Sequence, residues 1–338
     1  MSPALRTAFL ASAVLFLPAA SRGQSPAAQS PGPTFRGAVD LVTVDLTAVD
    51  RDGTPAAGLT PADVTVLVDG SPRRVASLLW LSPLGAPGES ALGTSRSLVL
   101  VVDRASLRAG HGMQALHAAA RYLDRLPESA RVAVAVLPEL DAAVRFDEPR
   151  AVLRERLLRA VGTGERTVPL GQTSDDHVNA LFTSLSAVEG PKQVVLIQGT
   201  ESGEIGAPID FAAHDLLSAT LSAWQSRVIV HQLDVWEPPW EAMAPENGTS
   251  STPTWTSASA TDRILSTQTG GLAMAPVSGD AFFMRFAREQ AGSYVLAFEP
   301  SDSDRDGRSH TIKVTVSRPD TTIRARHDFS ITGATGSR

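Results

Sequence analysis

Three stretches of this chain carry residue types that could do chemistry. The first is Asp103-Arg104-Ala105-Ser106-Leu107, which closes the apolar run Ser97–Val102. Ser106 lies just beyond a strand end, and Asp103 and His231 are the residues that could complete a nucleophilic centre around it. That set is an inventory without a motif: no G-x-S-x-G, H-E-x-x-H or G-x-G-x-x-G occurs. The second stretch is Asp302-Ser303-Asp304-Arg305-Asp306-Gly307, with the alternate carboxylates and the glycine of a calcium loop. Its twelfth position is Lys313, where a bidentate Glu belongs, and its flanks read as strands. A solvated turn rich in Asp is the better reading. The third is WEPPWEAMAPENGTSSTPTW, which carries Trp236, Trp240 and Trp255. Long ordered loops tend to be functional and exposed indoles serve as contact anchors; the competing reading tucks the indoles onto their own domain.

Composition narrows the classes. The chain has 338 residues, 43% hydrophobic and 20% charged, enough for a substantial core. Its net charge of -6 argues against a nucleic-acid partner, which calls for a basic stripe. There is no cysteine, hence no disulfide framework, thiolate metal site or cysteine nucleophile. The two lysines, Lys192 and Lys313, do not follow glycine, which excludes a P-loop. His111 and His117 are six apart, the wrong spacing for zinc ligands on one helical face. Residues 1–23 read as a signal peptide: Arg6, an apolar run from Ala8 to Leu17, then Pro18 and small residues, with cleavage expected between 20 and 24. Once it is removed, no stretch is apolar and long enough to span a membrane. A secreted or periplasmic location follows.

The elements that must position these residues fall into three blocks. After a spacer at 24–34, residues 35–81 are an N-terminal β segment with Val39, Leu41, Val44, Leu46, Val64, Val66, Val68 and Val75 as core candidates. Asp69-Gly70 signals a hairpin, and 82–96 is a linker. Residues 97–291 alternate strands and helices, which predicts a doubly wound, mainly parallel sheet. Strands are expected at Ser97–Val102, Arg131–Leu137, Gln193–Ile197, Val228–Leu233 and Leu272–Ala275, with Ala142–Phe146 as a short antiparallel neighbour. Helices are expected at Gln114–Leu126, Ala151–Val161, Asp175–Val188, Phe211–Gln225, Thr261–Gln268 and Ala281–Gln290. Residues 292–332 are β again, with strands at Tyr294–Phe298, His310–Val316 and Thr322–Ile331, before a tail at 333–338. Three strands alone are marginal in water. Val295, Ile312, Val314, Val316, Ile323 and Phe329 are therefore expected to pack with the N-terminal set in one β-sandwich, with the α/β region inserted in it.

The strand ending in Asp103, the alternating helices and Thr267-Gln268-Thr269-Gly270-Gly271 together resemble a von Willebrand factor type A domain. The flanks VDLVTVDLTAVDRDGTPAAGLTPADVTVLVDGSPRRVASLLWL and GSYVLAFEP…DGRSHTIKVTV…TIRARHDF are similar to those of VWFA-related proteins of the acidobacterial type. The resemblance covers Phe35 to Ile331. It implies a Mg²⁺ site built from D-x-S-x-S, a Thr and the Asp of a TDG stretch. Here both motif serines are replaced, by Ala105 and Leu107; Thr173 could match the Thr; and Gly199 stands where the Asp belongs. What remains, Asp103, Ser106 and Thr173, is a degenerate site. No cofactor is expected, and Mg²⁺ or Ca²⁺ is the group a rebuilt site would take. Arg104 could supply the missing positive charge by pairing with Asp103 or with an acidic partner residue.

The sequence thus reads as an exported, non-enzymatic interaction or adhesion module with a protein partner in the envelope or outside the cell. The partner-binding candidates are Asp103, Arg104, Trp236, Trp240 and Trp255. The alternatives are a metal-dependent adhesin with a rebuilt Mg²⁺ site and a hydrolase using Ser106.

Overall fold

The computed structural model describes residues 41–84, 96–104, 106–107, 112–137, 139, 144–162, 174–199, 220–235, 264–276 and 279–332. The expected signal segment, spacer, linker (apart from 82–84 and 96) and tail, together with Val39, lie outside these residues. The chain opens with β1 (Val42–Val49), which buries Val42, Val44, Leu46 and Ala48. Leu41, expected in the core, is 44% exposed. Successive strand residues point to opposite faces, so position 41 cannot share a face with Val44 and Leu46. β2 (Val64–Val68) and β3 (Ser71–Arg73) form a hairpin. Its turn, Asp69-Gly70, takes φ values of 48° and 79°, the positive values a tight hairpin requires. β4 (Val75–Leu81) follows.

The α/β region runs β5 (Ser97–Asp103), α1 (Met113–Arg125), β6 (Arg131–Leu137), α2 (Arg150–Arg159), α3 (Ser174–Leu185) and β7 (Lys192–Gly199). It continues with α4, described over residues 220–225, β8 (Val228–Val235), α5 (Ile264–Thr269), β9 (Ala273–Met274) and α6 (Gly279–Glu289). The strands make a five-stranded parallel sheet in the order β6-β5-β7-β8-β9. Leu98, Leu100 and Val102 of β5 pack toward α1, α2 and α6; Val99 and Val101 pack toward α3, α4 and α5. A strand covered on both faces has no polar side to show, which is why it reads as an unbroken apolar run. Residues 144–146 are not a strand, contrary to the expectation for Ala142–Phe146. Val144 and Phe146 are apolar because they pack as loop residues against the α3 layer. Among the described residues no helix is long and apolar enough to cross a membrane.

The chain returns as β10 (Ser293–Phe298), β11 (Asp306–Val316), β12 (Thr322–Ala325) and β13 (Asp328–Thr332). Two antiparallel sheets result, β12-β1-β10-β4 and β13-β11-β2-β3, each mixing strands from before and after the α/β region. They enclose a joint core of Val44, Val66, Val68, Leu296, Phe298 and Phe329. Val295 is half-buried on the outer face, opposite Leu79. The expected strand Thr322–Ile331 is split at Arg326-His327, and its halves join different sheets. The corner is stable because its backbone is paired: His327 N–H donates to Gln268 O at 3.1 Å, and His327 O accepts from Ile312 N–H at 2.5 Å. The α/β region leaves the sandwich after Leu81 and returns at Ser293, and these two residues are directly paired across β4 and β10. The buried Arg96 guanidinium fastens the crossing by donating to Ser82 O, Gln290 and Ser293 Oγ.

Candidate functional site

In a sheet of this order the chain moves from β5 outward to β6 and then crosses back to β7 on the other side of β5. The carboxyl ends of β5 and β7 are therefore the topological switch point, where open α/β sheets bind ligands. Asp103 ends β5 and Gly199 ends β7. The loop after β5 bends straight over the end of β7. Ser106 Oγ–H donates to Asp103 O at 2.8 Å, and Gly199 N–H donates to Ser106 Oγ at 2.9 Å. Ser106 N–H reaches Asp103 O at 3.2 Å and its carboxylate Oδ1 at 3.3 Å. One hydroxyl thus closes the gap between the two strand ends.

The closure explains the residue at position 199. A Cβ built on Gly199 would lie 2.2 Å from Ser106 O, 2.9 Å from Ser106 C and 3.3 Å from Leu107 Cα, all backbone atoms. No side chain, and no carboxylate, fits there while the loop holds this path. Leu107 explains the path. Its side chain is buried in the layer under α1 and lies against Gly112, the residue that starts the helix at a φ of 91°. Burial of this apolar side chain draws the loop inward. The loop over the end of β7 is therefore packed by Leu107 and hydrogen-bonded through Ser106.

Around the closure the polar groups are mutually engaged. Arg104 makes an ion pair with Glu139 at 3.0 Å rather than with Asp103, so the first of its two expected pairings is not made. Both side chains of that pair reach solvent. Gln198 Nε2–H donates to Asp234 Oδ1 at 3.1 Å and ties the ends of β7 and β8. Among the described residues no group of three or more His, Asp or Glu could hold a metal ion. Thr173, Trp236, Trp240 and Trp255 lie outside the described residues.

His231 does not belong to this site. It sits mid-strand in β8 and is fully buried. Leu272 N–H donates to Nδ1 at 3.1 Å, so the neutral ring carries its proton on Nε2, which donates to Gln193 Oε1 at 2.5 Å. The ring also meets Phe286 edge-on at 4.7 Å. Burial pushes its pKa down to about 3, so it stays neutral. Both nitrogens are committed to holding β8 against its neighbours, and neither is offered to Ser106.

The Asp302–Gly307 stretch also does other work than a calcium loop would. It forms a 3-10 turn, Asp302–Arg305, capped by Ser301. Asp304 is buried and takes a bidentate pair from Arg73 at 2.5 and 2.7 Å, which holds its carboxyl far below the usual carboxylate range. Asp306 turns instead to His310 Nε2 at 3.0 Å, while His310 Nδ1 meets Asp69 at 2.7 Å. The alternating carboxylates are therefore spent on different partners. The alternating Asp residues mark the stretch in sequence, but nothing local marks its chemistry, because Arg73 lies 231 residues away from Asp304.

No family model matches the chain, and no curated protein matches it. Among solved structures, the human COPII-coat protein Sec24c is similar at 12% identity with a TM-score of 0.38. The match covers 76% of this chain and 44% of that one, so this chain spans less than half the length of Sec24c.

Proposed function

We propose that this chain is an exported interaction module, built on a von Willebrand factor A-like domain set in a β-sandwich, that binds a protein partner without a metal ion. The observation that carries this reading is the closed switch point, where the Ser106 hydroxyl and backbone occupy the space a second acidic ligand would need. At this end of the sheet the Arg104–Glu139 pair reaches solvent next to the buried Asp103. An arginine already held by one carboxylate can exchange it for a partner's at little cost. In sequence, Trp236, Trp240 and Trp255 follow directly on β8 and supply the apolar anchors such a contact needs. The apolar run Ala8–Leu17 with its small-residue exit supports export. The test is capture from the envelope fraction of the host by the purified mature chain, with and without EDTA. The expected partner is retained in EDTA and lost with Arg104→Glu. Capture that vanishes with EDTA, or that ignores Arg104→Glu, overturns the reading.

A further inference from the structure

A groove of about 500 Å³ opens between the C-terminal turns of α1 and α6. Helices that follow parallel strands run back against them, so this groove lies at the end of the sheet opposite Asp103. Its size falls within the roughly 300–1,000 Å³ of small-molecule sites. The surface is mostly apolar, from Leu84, Leu126, Met284 and Ala287 among others. Met284 is 57% exposed there, a large apolar side chain left open to water.

Two further features say what kind of molecule the groove suits. Arg125 and Arg288 line it, and among the described residues no acidic side chain does. Tyr122 also lines it. Its ring is buried, stacked on Phe283 at 5.2 Å and edge-on to Phe286 at 5.5 Å, and the residue is only 4% exposed. Its hydroxyl makes no hydrogen bond with the described residues, and the oxygen itself is open to the groove and not buried. Burial pushes the phenol pKa up, so the group is a neutral donor, and the nearby Arg96 and Arg125 guanidiniums add positive potential. The site thus offers an apolar floor, one unused O–H donor and a cationic surround.

We propose that this groove binds a singly charged organic acid with an unbranched apolar chain. Its carboxylate accepts the Tyr122 hydroxyl, and its chain lies along Leu84, Leu126 and Met284. The probe is decanoate, titrated calorimetrically into the full mature chain below its micellar range. Decyltrimethylammonium, which carries the same chain and the opposite charge, is the comparison. Saturable one-to-one binding of decanoate and none of the cation is expected. Tyr122→Phe should weaken it by roughly tenfold or more, the effect of losing a hydrogen bond to a charged group. Ala287→Trp, on the exposed surface of α6, should fill the groove and abolish binding while leaving the melting temperature unchanged. Absence of saturable binding, equal binding of both amphiphiles, or binding untouched by both substitutions overturns the proposal.

Discussion

Replacing Gly199 by alanine asks whether the switch point is closed by necessity. The added Cβ would meet Ser106 O at 2.2 Å and Ser106 C at 2.9 Å. Neither atom is the end of a flexible side chain, so the loop must move. Overpacking of this kind costs about 1–3 kcal/mol. For domains of 150–250 residues each kcal/mol moves the melting temperature by roughly 2–4 °C, so a drop of roughly 2–12 °C is expected. Ser106→Ala removes the acceptor of Gly199 N–H and the donor to Asp103 O. Asp103 O keeps the Ser106 backbone N–H at 3.2 Å, so Gly199 N–H is the group left unmatched, at a cost of about 1–3 kcal/mol. Once Gly199→Ala has displaced the loop, the Ser106 hydroxyl no longer bridges the strands. The double variant should then be more stable than the sum of the single effects by more than about 0.5 kcal/mol. Denaturant midpoints of the four proteins, with unchanged slopes, read the cycle. A Gly199→Ala protein within about 0.5 kcal/mol of wild type, the usual spread of neutral surface changes, would mean that the loop is free to move away from position 199.

Three other outcomes follow from the sandwich. Arg73→Met should cost about 3–5 kcal/mol by stranding the Asp304 carboxylate, whose side chain is 2% exposed, and adding Asp304→Leu should recover most of it; chemical denaturation checks both. Both His310 nitrogens face carboxylates, and its pKa is raised above 6.5 chiefly by Asp69. That contribution is full below 6.5 and is lost as pH rises through the raised value. Wild-type stability should therefore fall on going from mildly acidic to alkaline buffer, and His310→Gln should flatten that fall in pH-series denaturant melts. Deleting residues 35–81 removes β1 to β4 and uncovers Leu296, Phe298 and Phe329, so limited proteolysis should cut after Gly292; a soluble truncated chain with an equally protected tail would contradict the joint core.

Much of the fold was legible in the sequence, for physical reasons that also mark where reading stops. The central strands announce themselves because burial on both faces forbids polar residues. β5 and β6 lie where the apolar runs Ser97–Val102 and Arg131–Leu137 place them, give or take Asp103. Alternation also exposed the β segments, but parity matters: Leu41 is apolar yet on the wrong side of the pleat. The split of Thr322–Ile331 between two sheets left no local trace, because the corner is held by Gln268 and Ile312 from elsewhere. At the candidate site the glycine at position 199 was visible in the sequence. Its cause, the approach of the Ser106 backbone from 93 residues away, is a tertiary contact with no signature in spacing. His231 shows the converse error: an inventory of polar residues near one sheet end placed it with Ser106, while strand register buries it between Gln193 and Leu272.

Calorimetric titration of the chelator-treated chain with Mg²⁺ and Mn²⁺ tests the proposal that the closed switch point takes no metal ion. No binding heat and no rise in melting temperature are expected at millimolar ion. A site occupied at 100 times its Kd would instead add about 2.7 kcal/mol of stability. Saturable binding of either ion, with a matching rise in melting temperature that disappears in Asp103→Ala, would mean that the switch point holds a metal ion after all.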